Sequence, residues 1–281
     1  MKIAVTAASG KLGSAIVKAV RELKSREDLI ALARTPAKVQ SLGVEVRPGD
    51  YNDKQALKQS LQGIDTVLLV SGMGEPKKRI GQHRNVIDAA KDAGVKKIVY
   101  TSVQGAEAGT AFSPVIQSNR QTEADIKASG LQWVIGRNGI YIEPDIDYLD
   151  SYVKAGGIYN CAGDKKCGYT NRPELAYAYA KMLSEDKHNG QIYNLHGQSL
   201  SQAELATYLS KRFNVDLAYH AVSFEKYRQD RINELGKFLG TVIAGIYQGI
   251  AMGKADNPSH YQLAAGREHQ SWDSYFLSLK V

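Results

Sequence analysis

Lys2-Ile3-Ala4-Val5-Thr6-Ala7-Ala8-Ser9-Gly10-Lys11-Leu12-Gly13-Ser14-Ala15-Ile16 combines an apolar run, a glycine-bearing turn and the start of an amphipathic stretch. Lys2 to Thr6 is a short apolar run of strand character. Leu12, Ile16, Ala19 and Val20 then recur at helical spacing, which predicts a helix from about Leu12 to Leu23. Between them, Ala7 to Gly13 fits G-x-x-G-x-x-G with alanine in the first place. Gly10 would let a backbone come close to a pyrophosphate, and Gly13 would let helix and strand pack tightly. The start of the helix offers unpaired N–H groups and about half a positive charge to phosphates. An alanine at position 7 is tolerated if its φ is negative. The motif alone is weak, but strand before and helix after are the context that gives it meaning.

The theme repeats downstream. Runs at Leu29-Ala33, Val44-Arg47, Thr66-Val70, Lys97-Thr101 and Gln132-Gly136 read as strands. Helical stretches at Pro36-Leu42, from near Asp53, at Gly81-Ala93 and at Thr122-Ala128 lie between them. Alternation of this kind predicts βαβ units and an α/β fold with a Rossmann-type doubly wound parallel sheet. Strand order is not readable from periodicity. After Tyr141 the rhythm loosens into helices at Pro144-Lys154, Pro173-Ser184 and Ser201-Phe213, strands at Gln191-Leu195 and Leu217-Val222, and further helices. The expected division is therefore a dinucleotide-binding domain over residues 1–141 and a smaller mixed α/β C-terminal lobe over 142–281, packed on the first.

The bulk numbers narrow the function. With 43% hydrophobic residues among 281, the chain can bury a sizeable core, which excludes disorder. The net charge of +7 comes from scattered pairs such as Lys77-Lys78 and Lys165-Lys166. No basic stripe with interleaved aromatics forms, so no nucleic-acid partner is expected. The apolar stretch Leu239 to Gly253 falls short of the ~20 residues a bilayer needs and reads as a buried helix, so no membrane is expected. Cys161 and Cys167 read as loop or core thiols in a reducing, cytoplasmic compartment. The six histidines form no H-E-x-x-H and no acid cluster accompanies them, so no metal is expected. A hydrolase elbow G-x-S-x-G is absent.

NADP(H) is the expected cofactor. An NAD-preferring fold ends its second strand with an acid for the ribose 2′-hydroxyl. Here Leu29-Ile30-Ala31-Leu32-Ala33 is followed by Arg34, while Asp28 lies at the wrong end. A charge-assisted hydrogen bond of about 1.5–3 kcal/mol from Arg34 to a 2′-phosphate gives roughly ten- to hundredfold preference.

Several segments together resemble the NmrA-like group of atypical short-chain dehydrogenase/reductases. They are Val5 to Gly13, Ala33-Arg34-Thr35-Pro36-Ala37-Lys38, Gly49-Asp50-Tyr51, Gln82-His83-Arg84-Asn85-Val86-Ile87 and Arg137-Asn138-Gly139-Ile140-Tyr141. Within it the chain is most similar to bacterial NADPH-dependent quinone oxidoreductases and triphenylmethane reductases. The resemblance implies that Ala7, Ser9, Gly10, Lys11, Leu12 and Gly13 hold the pyrophosphate and that Asp50 and Tyr51 lie beside the adenine. Ser71, Gly72 and Met73 would line the cofactor path, and Thr101 and Ser102 would approach the nicotinamide ribose. Asn138 and Tyr141 would flank the nicotinamide and acceptor as the catalytic pair.

Most short-chain dehydrogenases carry Tyr-x-x-x-Lys on the helix after the fifth strand, where this chain has Asn119-Arg120-Gln121-Thr122-Glu123. The Tyr177-x-x-x-Lys181 pair lies well past the sixth strand and reads as a decoy. Arg120 reads as an exposed loop arginine, and His83 with Asn85 as members of a local hydrogen-bond network. Without the dyad, hydride transfer to a quinone-like acceptor is the chemistry that survives, since its delocalised product needs little acid assistance and water can supply the proton. The alternative is a non-catalytic NADP(H)-binding redox sensor of NmrA type. Nucleotide-sugar epimerisation is disfavoured because it normally uses the missing tyrosine. A monomer or homodimer is expected.

Overall fold

The first strand is three buried residues, β1 (Ile3–Val5), and the computed structural model, which describes residues 1–25 and 28–280, builds the sheet around it. In chain order come α1 (Lys11–Leu23), β2 (Leu29–Ala33), β3 (Glu45–Pro48), α2 (Lys54–Ser60), β4 (Thr66–Leu69), α3 (Pro76–Asp92), β5 (Lys97–Val103), α4 (Ser113–Lys127) and β6 (Gln132–Asn138). The later half adds β7 (Ile140–Tyr141), α5 (Glu143–Asp147), α6 (Leu149–Ala155), β8 (Gly157–Asn160), β9 (Cys167–Thr170), α7 (Arg172–Ser184) and β10 (Gln191–Leu195). It closes with β11 (Ser199–Leu200), α8 (Gln202–Phe213), β12 (Ala218–Ala221), α9 (Phe224–Leu235), α10 (Lys237–Ala251), α11 (Tyr261–Ala265) and α12 (Trp272–Ser278).

The main sheet has seven strands in the order β10-β6-β5-β4-β1-β2-β3, all parallel. Alternation along the strands divides the core into two layers. Ile3, Val5, Leu29 and Ala31 pack with Ile16, Val20 and Leu183 on the side of α1 and α7. Ala4, Ile30, Leu32 and Val67 pack with Val86, Ile87 and Ile126 on the side of α3 and α4. Strands buried on both faces read as continuous apolar runs, which is why they were visible in the sequence. The order reverses between β1 and β4, and the loops after those two strands diverge there to open the crevice where ligands of such sheets bind.

Two elements of the later half, α7 and β10, belong to this layer. β10 pairs with β6 from Gln191↔Val134 to Leu195↔Asn138, and α7 packs against α1. The chain thus leaves the main sheet after Asn138, enters a small sheet at Ile140 and Tyr141, and later comes back to the main one. Helix α11 packs on α7 and β10, with Tyr261, Ala264 and Ala265 in the same core. Elsewhere in the later half lie two small sheets, β11-β9-β7 and β12-β8, and a core around Ile158, Tyr169, Leu205, Trp272 and Phe276. The turn-rich segment before Gly168 conceals β8 and β9.

Helix α10 departs from the expected buried helix. Phe238 and Leu239 are exposed, and the buried positions are Gly240, Ala244, Gly245, Gly249 and Ile250. The helix packs by its smallest residues. A Cβ on Gly240 would strike the Arg231 carbonyl of α9, and one on Gly245 the backbone N of Phe112. Among the described residues no helix is long and apolar enough to cross a membrane.

Candidate functional site

The loop after β1 is folded by backbone bonds. Ala8 N–H donates to Leu32 O of β2 at 3.0 Å, and Gly10 N–H donates to Ala7 O at 2.9 Å. Ala7 has φ +48°, not the negative value expected of it. The turn places the Ala7 carbonyl beneath the start of α1, and the left-handed region it needs is narrow but open to alanine at a cost of about 1–2 kcal/mol. Gly13 is required by the same carbonyl: a Cβ there would collide with Ala7 O and lie 2.9 Å from Ala7 C. No side chain caps α1, and its first i→i−4 bond is Ser14 N–H to Gly10 O. The N–H groups of Lys11, Leu12 and Gly13 therefore remain for a ligand. Ser9, Gly10 and Lys11 are exposed there, and Lys11 Nζ approaches Asp147 of α5 at 3.4 Å.

Arg34 follows β2 directly, is exposed, and makes no ion pair among the described residues. Asp28 sits at the opposite end of β2. Gly49 lies so close to β2 that a Cβ would come within 2.8 Å of Leu32 Cβ. The Asp50 carboxylate accepts from Asn52 N–H and its side-chain amide, both at 2.9 Å. Tyr51 turns inward: Val70 N–H donates to Thr6 Oγ1, Thr6 to Tyr51 Oη, and Tyr51 back to Val70 O. That cycle staples the ends of β1 and β4, so the Tyr51 ring is a pillar under the crevice.

A second network holds the loop after β4. Ser71 N–H donates to Thr101 Oγ1 at 2.8 Å and Gly72 N–H to His83 Nε2 at 3.1 Å, leaving Met73 almost fully exposed. Since Nε2 accepts, Nδ1 carries the proton and donates to Thr122 Oγ1 at 2.9 Å, which donates to Ser118 O. Burial and the nearby Arg79 charge depress the His83 pKa to about 3. Asn85 likewise serves a local role, donating to Tyr51 O. Arg79 Nη2 reaches Ser71 Oγ and Asn119 Oδ1, both at 2.7 Å, and Tyr100 Oη donates to the same Asn119 oxygen. Asn119 is completely buried and its side chain is consumed by these bonds.

Glu123, one turn further along α4, is buried as well. Ser102 Oγ donates to it at 2.6 Å, Arg120 Nη1 at 2.8 Å, and Arg137 Nε and Nη2 at 3.0 and 2.6 Å. Burial opposes its ionisation, but the bonds from Arg137 and Ser102 and the Arg120 charge prevail and hold the carboxyl below its usual range. Arg120 is thus not an exposed loop residue. It lies on α4, which begins at Ser113 rather than Thr122, and is largely buried between Glu123 and Glu107. Apolar spacing does not show this because the face of α4 toward the sheet is lined with Ser118, Asn119, Thr122 and Glu123.

At the end of β6, Asn138 Nδ2 donates to Tyr141 Oη at 2.9 Å. Tyr179 Oη, from α7, donates to Asn138 Oδ1 at 2.6 Å and lies 3.0 Å from Gly136 O. The Arg172 guanidinium covers the Tyr141 ring, 5.7 Å from its centroid. The pair Tyr177 and Lys181 is engaged elsewhere: Tyr177 stacks under Arg267 at 4.3 Å, and Lys181 pairs with Glu185. The tyrosine that reaches the site is Tyr179, between them, which sequence reading passed over, as it did Arg79 and Arg172.

Loops after β1, β2, β4, β5 and β6 thus meet along one edge, with an uncapped helix start at the crevice. Residues 7–184 match the family described as NAD(P)H-binding. The chain belongs to the NAD(P)H-binding family. Among the relatives of this family member is quinone oxidoreductase 2 of Escherichia coli (strain K12), 36% identical over 225 residues that cover 79% of this chain and 78% of that protein. The crystal structure of an Escherichia coli NADPH-dependent quinone oxidoreductase complexed with NADPH superposes with a TM-score of 0.90 at 31% identity, covering 98% of both chains. That of Citrobacter sp. triphenylmethane reductase complexed with NADP(H) gives 0.90 and 31%, covering 99% of this chain and 100% of the other. The fit of this NAD(P)H-binding chain to a dinucleotide rests on its own geometry: a cradle at Gly13 that a Cβ would fill, free helix-start donors beside exposed Gly10, and an arginine without an acid after β2.

Proposed function

We propose that this NAD(P)H-dependent oxidoreductase takes NADPH and reduces a quinone or a similar conjugated acceptor. The observation that carries the reading is the closed state of α4. Asn119 and Glu123, standing where a proton-donating pair would stand, are both buried and fully bonded to Arg79, Tyr100, Ser102, Arg120 and Arg137. Such a site suits an acceptor whose reduced form is a delocalised, weakly basic anion. When bound, NADPH supplies the hydride; the chain supplies binding, orientation and electrostatics.

Ala7, Ser9, Gly10, Lys11, Leu12 and Gly13 would wrap the pyrophosphate, with the helix-start N–H groups as donors. Arg34 would meet the 2′-phosphate. Asp50 and Tyr51 would border the adenine, Tyr51 by its backbone because its ring is committed inward. Ser71, Gly72 and Met73, pinned by Thr101 and His83, would line the path to the nicotinamide. Thr101, Ser102 and Asn138 would close it at the ribose, with Tyr141 facing the acceptor. The likeness to the quinone oxidoreductase and to the dye reductase supports a flat, conjugated acceptor.

The test follows the loss of reduced-nicotinamide absorbance with a panel of quinones and triphenylmethane dyes, with NADPH and NADH run side by side and binding measured separately. Turnover with NADPH and a quinone is the expected result. Tight NADP(H) binding without turnover on any acceptor would instead favour a regulator that senses the cofactor's redox state.

A further inference from the structure

Gly136 stands inside β6, where a glycine weakens a strand and marks a close approach. A Cβ there would collide with Tyr179 Oη and lie 2.7 Å from its Cζ. The bare strand is what admits the phenol of Tyr179, a completely buried side chain, to the carboxyl end of the sheet. The directions of the bonds beyond it follow from what each group can give. The phenol donates its one proton to Asn138 Oδ1, the nearer acceptor, and this fixes which way the amide faces. Asn138 Nδ2 must then donate to Tyr141 Oη. That oxygen is an acceptor in the chain, so the Tyr141 proton is left pointing elsewhere, and it meets no acceptor among the described residues. Tyr141 is partly exposed, three residues past the amide that orients it.

We propose that Tyr141 presents its O–H to the carbonyl oxygen of the acceptor, and that Tyr179 is a positioning residue that aims it through Asn138. The proposal deepens the reading of a quinone-like acceptor and rests on it. As the acceptor takes up hydride, two electrons enter it and negative charge grows on that oxygen, where a fixed donor is worth most. Tyr141 gives a hydrogen bond and keeps its proton; the proton that completes the hydroquinone comes from water. Burial, opposed by the Asn138 bond and the Arg172 charge, pushes the Tyr141 pKa up to about 12, so the phenol remains a donor across the neutral range. The Arg172 guanidinium lies over one face of that ring, 5.7 Å from its centroid, and is not a hydrogen-bond partner of the hydroxyl.

The experiment compares Tyr141→Phe, Tyr179→Phe and the double variant, with thermal melts confirming that each folds. With 1,4-benzoquinone as acceptor, each single change lowers kcat by about tenfold or more, the scale of losing one hydrogen bond to a developing charge or its aim. The NADPH dissociation constant stays unchanged in Tyr141→Phe, and the double variant has a kcat no lower than that of Tyr141→Phe, because Tyr179 acts on the acceptor only through Tyr141. A readout free of turnover is the spectroscopic titration of 4-nitrophenol in the presence of NADP+. Wild type binds the phenolate and lowers its apparent pKa, and both single variants lose that shift. Unchanged kcat in Tyr141→Phe, additive losses in the double variant, or a nitrophenol titration in wild type that matches free solution overturns the proposal. If no quinone is turned over by wild type, the acceptor reading falls, and the nitrophenol titration still decides whether an aimed hydroxyl is present.

Discussion

Arg34, His83 and Gly13 show how much single side chains decide at this edge. Arg34 stands after β2 with no acid beside it. Arg34→Ala is expected to raise the NADPH dissociation constant by roughly ten- to hundredfold while NADH binding stays put. Equal losses for both, measured by fluorescence titration, would remove the basis for NADP preference. His83 gives a pH dependence. Its pKa falls from 6.5 in the unfolded chain to about 3 when folded, so between those values the unfolded chain holds a proton that the native state does not. Stability therefore falls as pH falls through that window, by up to about 1.4 kcal/mol per pH unit from this residue. Asp145 acts in the opposite sense: burial raises it from 3.8 to about 6, so its contribution is lost as pH rises through that range. His83→Gln should flatten the acid side of a Tm-against-pH profile, and an unchanged slope would show that His83 is not the group responsible. Gly13→Ala would drive a methyl into Ala7 O and should destabilise the fold by about 1–3 kcal/mol as well as weaken cofactor binding.

At the scale of elements, glycine has opposite meanings on two helices. Gly81 in α3 has nothing within 4 Å of the place a methyl group would occupy and no left-handed φ, so it only weakens its helix. Gly245 in α10 lets the helix lie against the Phe112 backbone. Gly81→Ala should stabilise by up to about 1 kcal/mol, whereas Gly245→Ala should cost about 1–3 kcal/mol, both read from urea denaturation midpoints. The contrast also marks where the sequence was legible. β2 was readable to the residue because burial on both faces makes an unbroken apolar run. The phosphate turn was readable because its glycines answer to a local backbone constraint. The polar face of α4 was not, since Ser118, Asn119, Thr122 and Glu123 are buried by partners far away in sequence. Tyr179 was equally hidden, although Gly136, a glycine within a strand pattern, was the available sign that something large approaches there. α10 was misjudged because its first bulky residues, Phe238 and Leu239, are exposed, while its close contacts are made by Gly240, Ala244 and Gly245.

For the whole molecule, the crevice ties the two halves together: Lys11 at the start of α1 meets Asp147 of α5, and Asn138 of β6 meets Tyr179 of α7. A cofactor that binds only the assembled edge stabilises everything that forms it. At a hundredfold excess over its dissociation constant, NADPH should add about 2.7 kcal/mol, a rise in Tm of several degrees by scanning fluorimetry. NADH at the same concentration should give a smaller shift. The return of the chain to the sheet has a consequence for its birth. While it emerges from the ribosome, β6 has no neighbour on its outer side and the apolar face of α1 has no cover until α7 and β10 arrive, some fifty residues beyond Tyr141. At about 5–20 residues per second that interval lasts a few seconds or more, during which a bare strand edge and an uncovered helix are offered to the crowded cell. Synthesis thus carries a window of exposure to aggregation that the finished protein no longer shows.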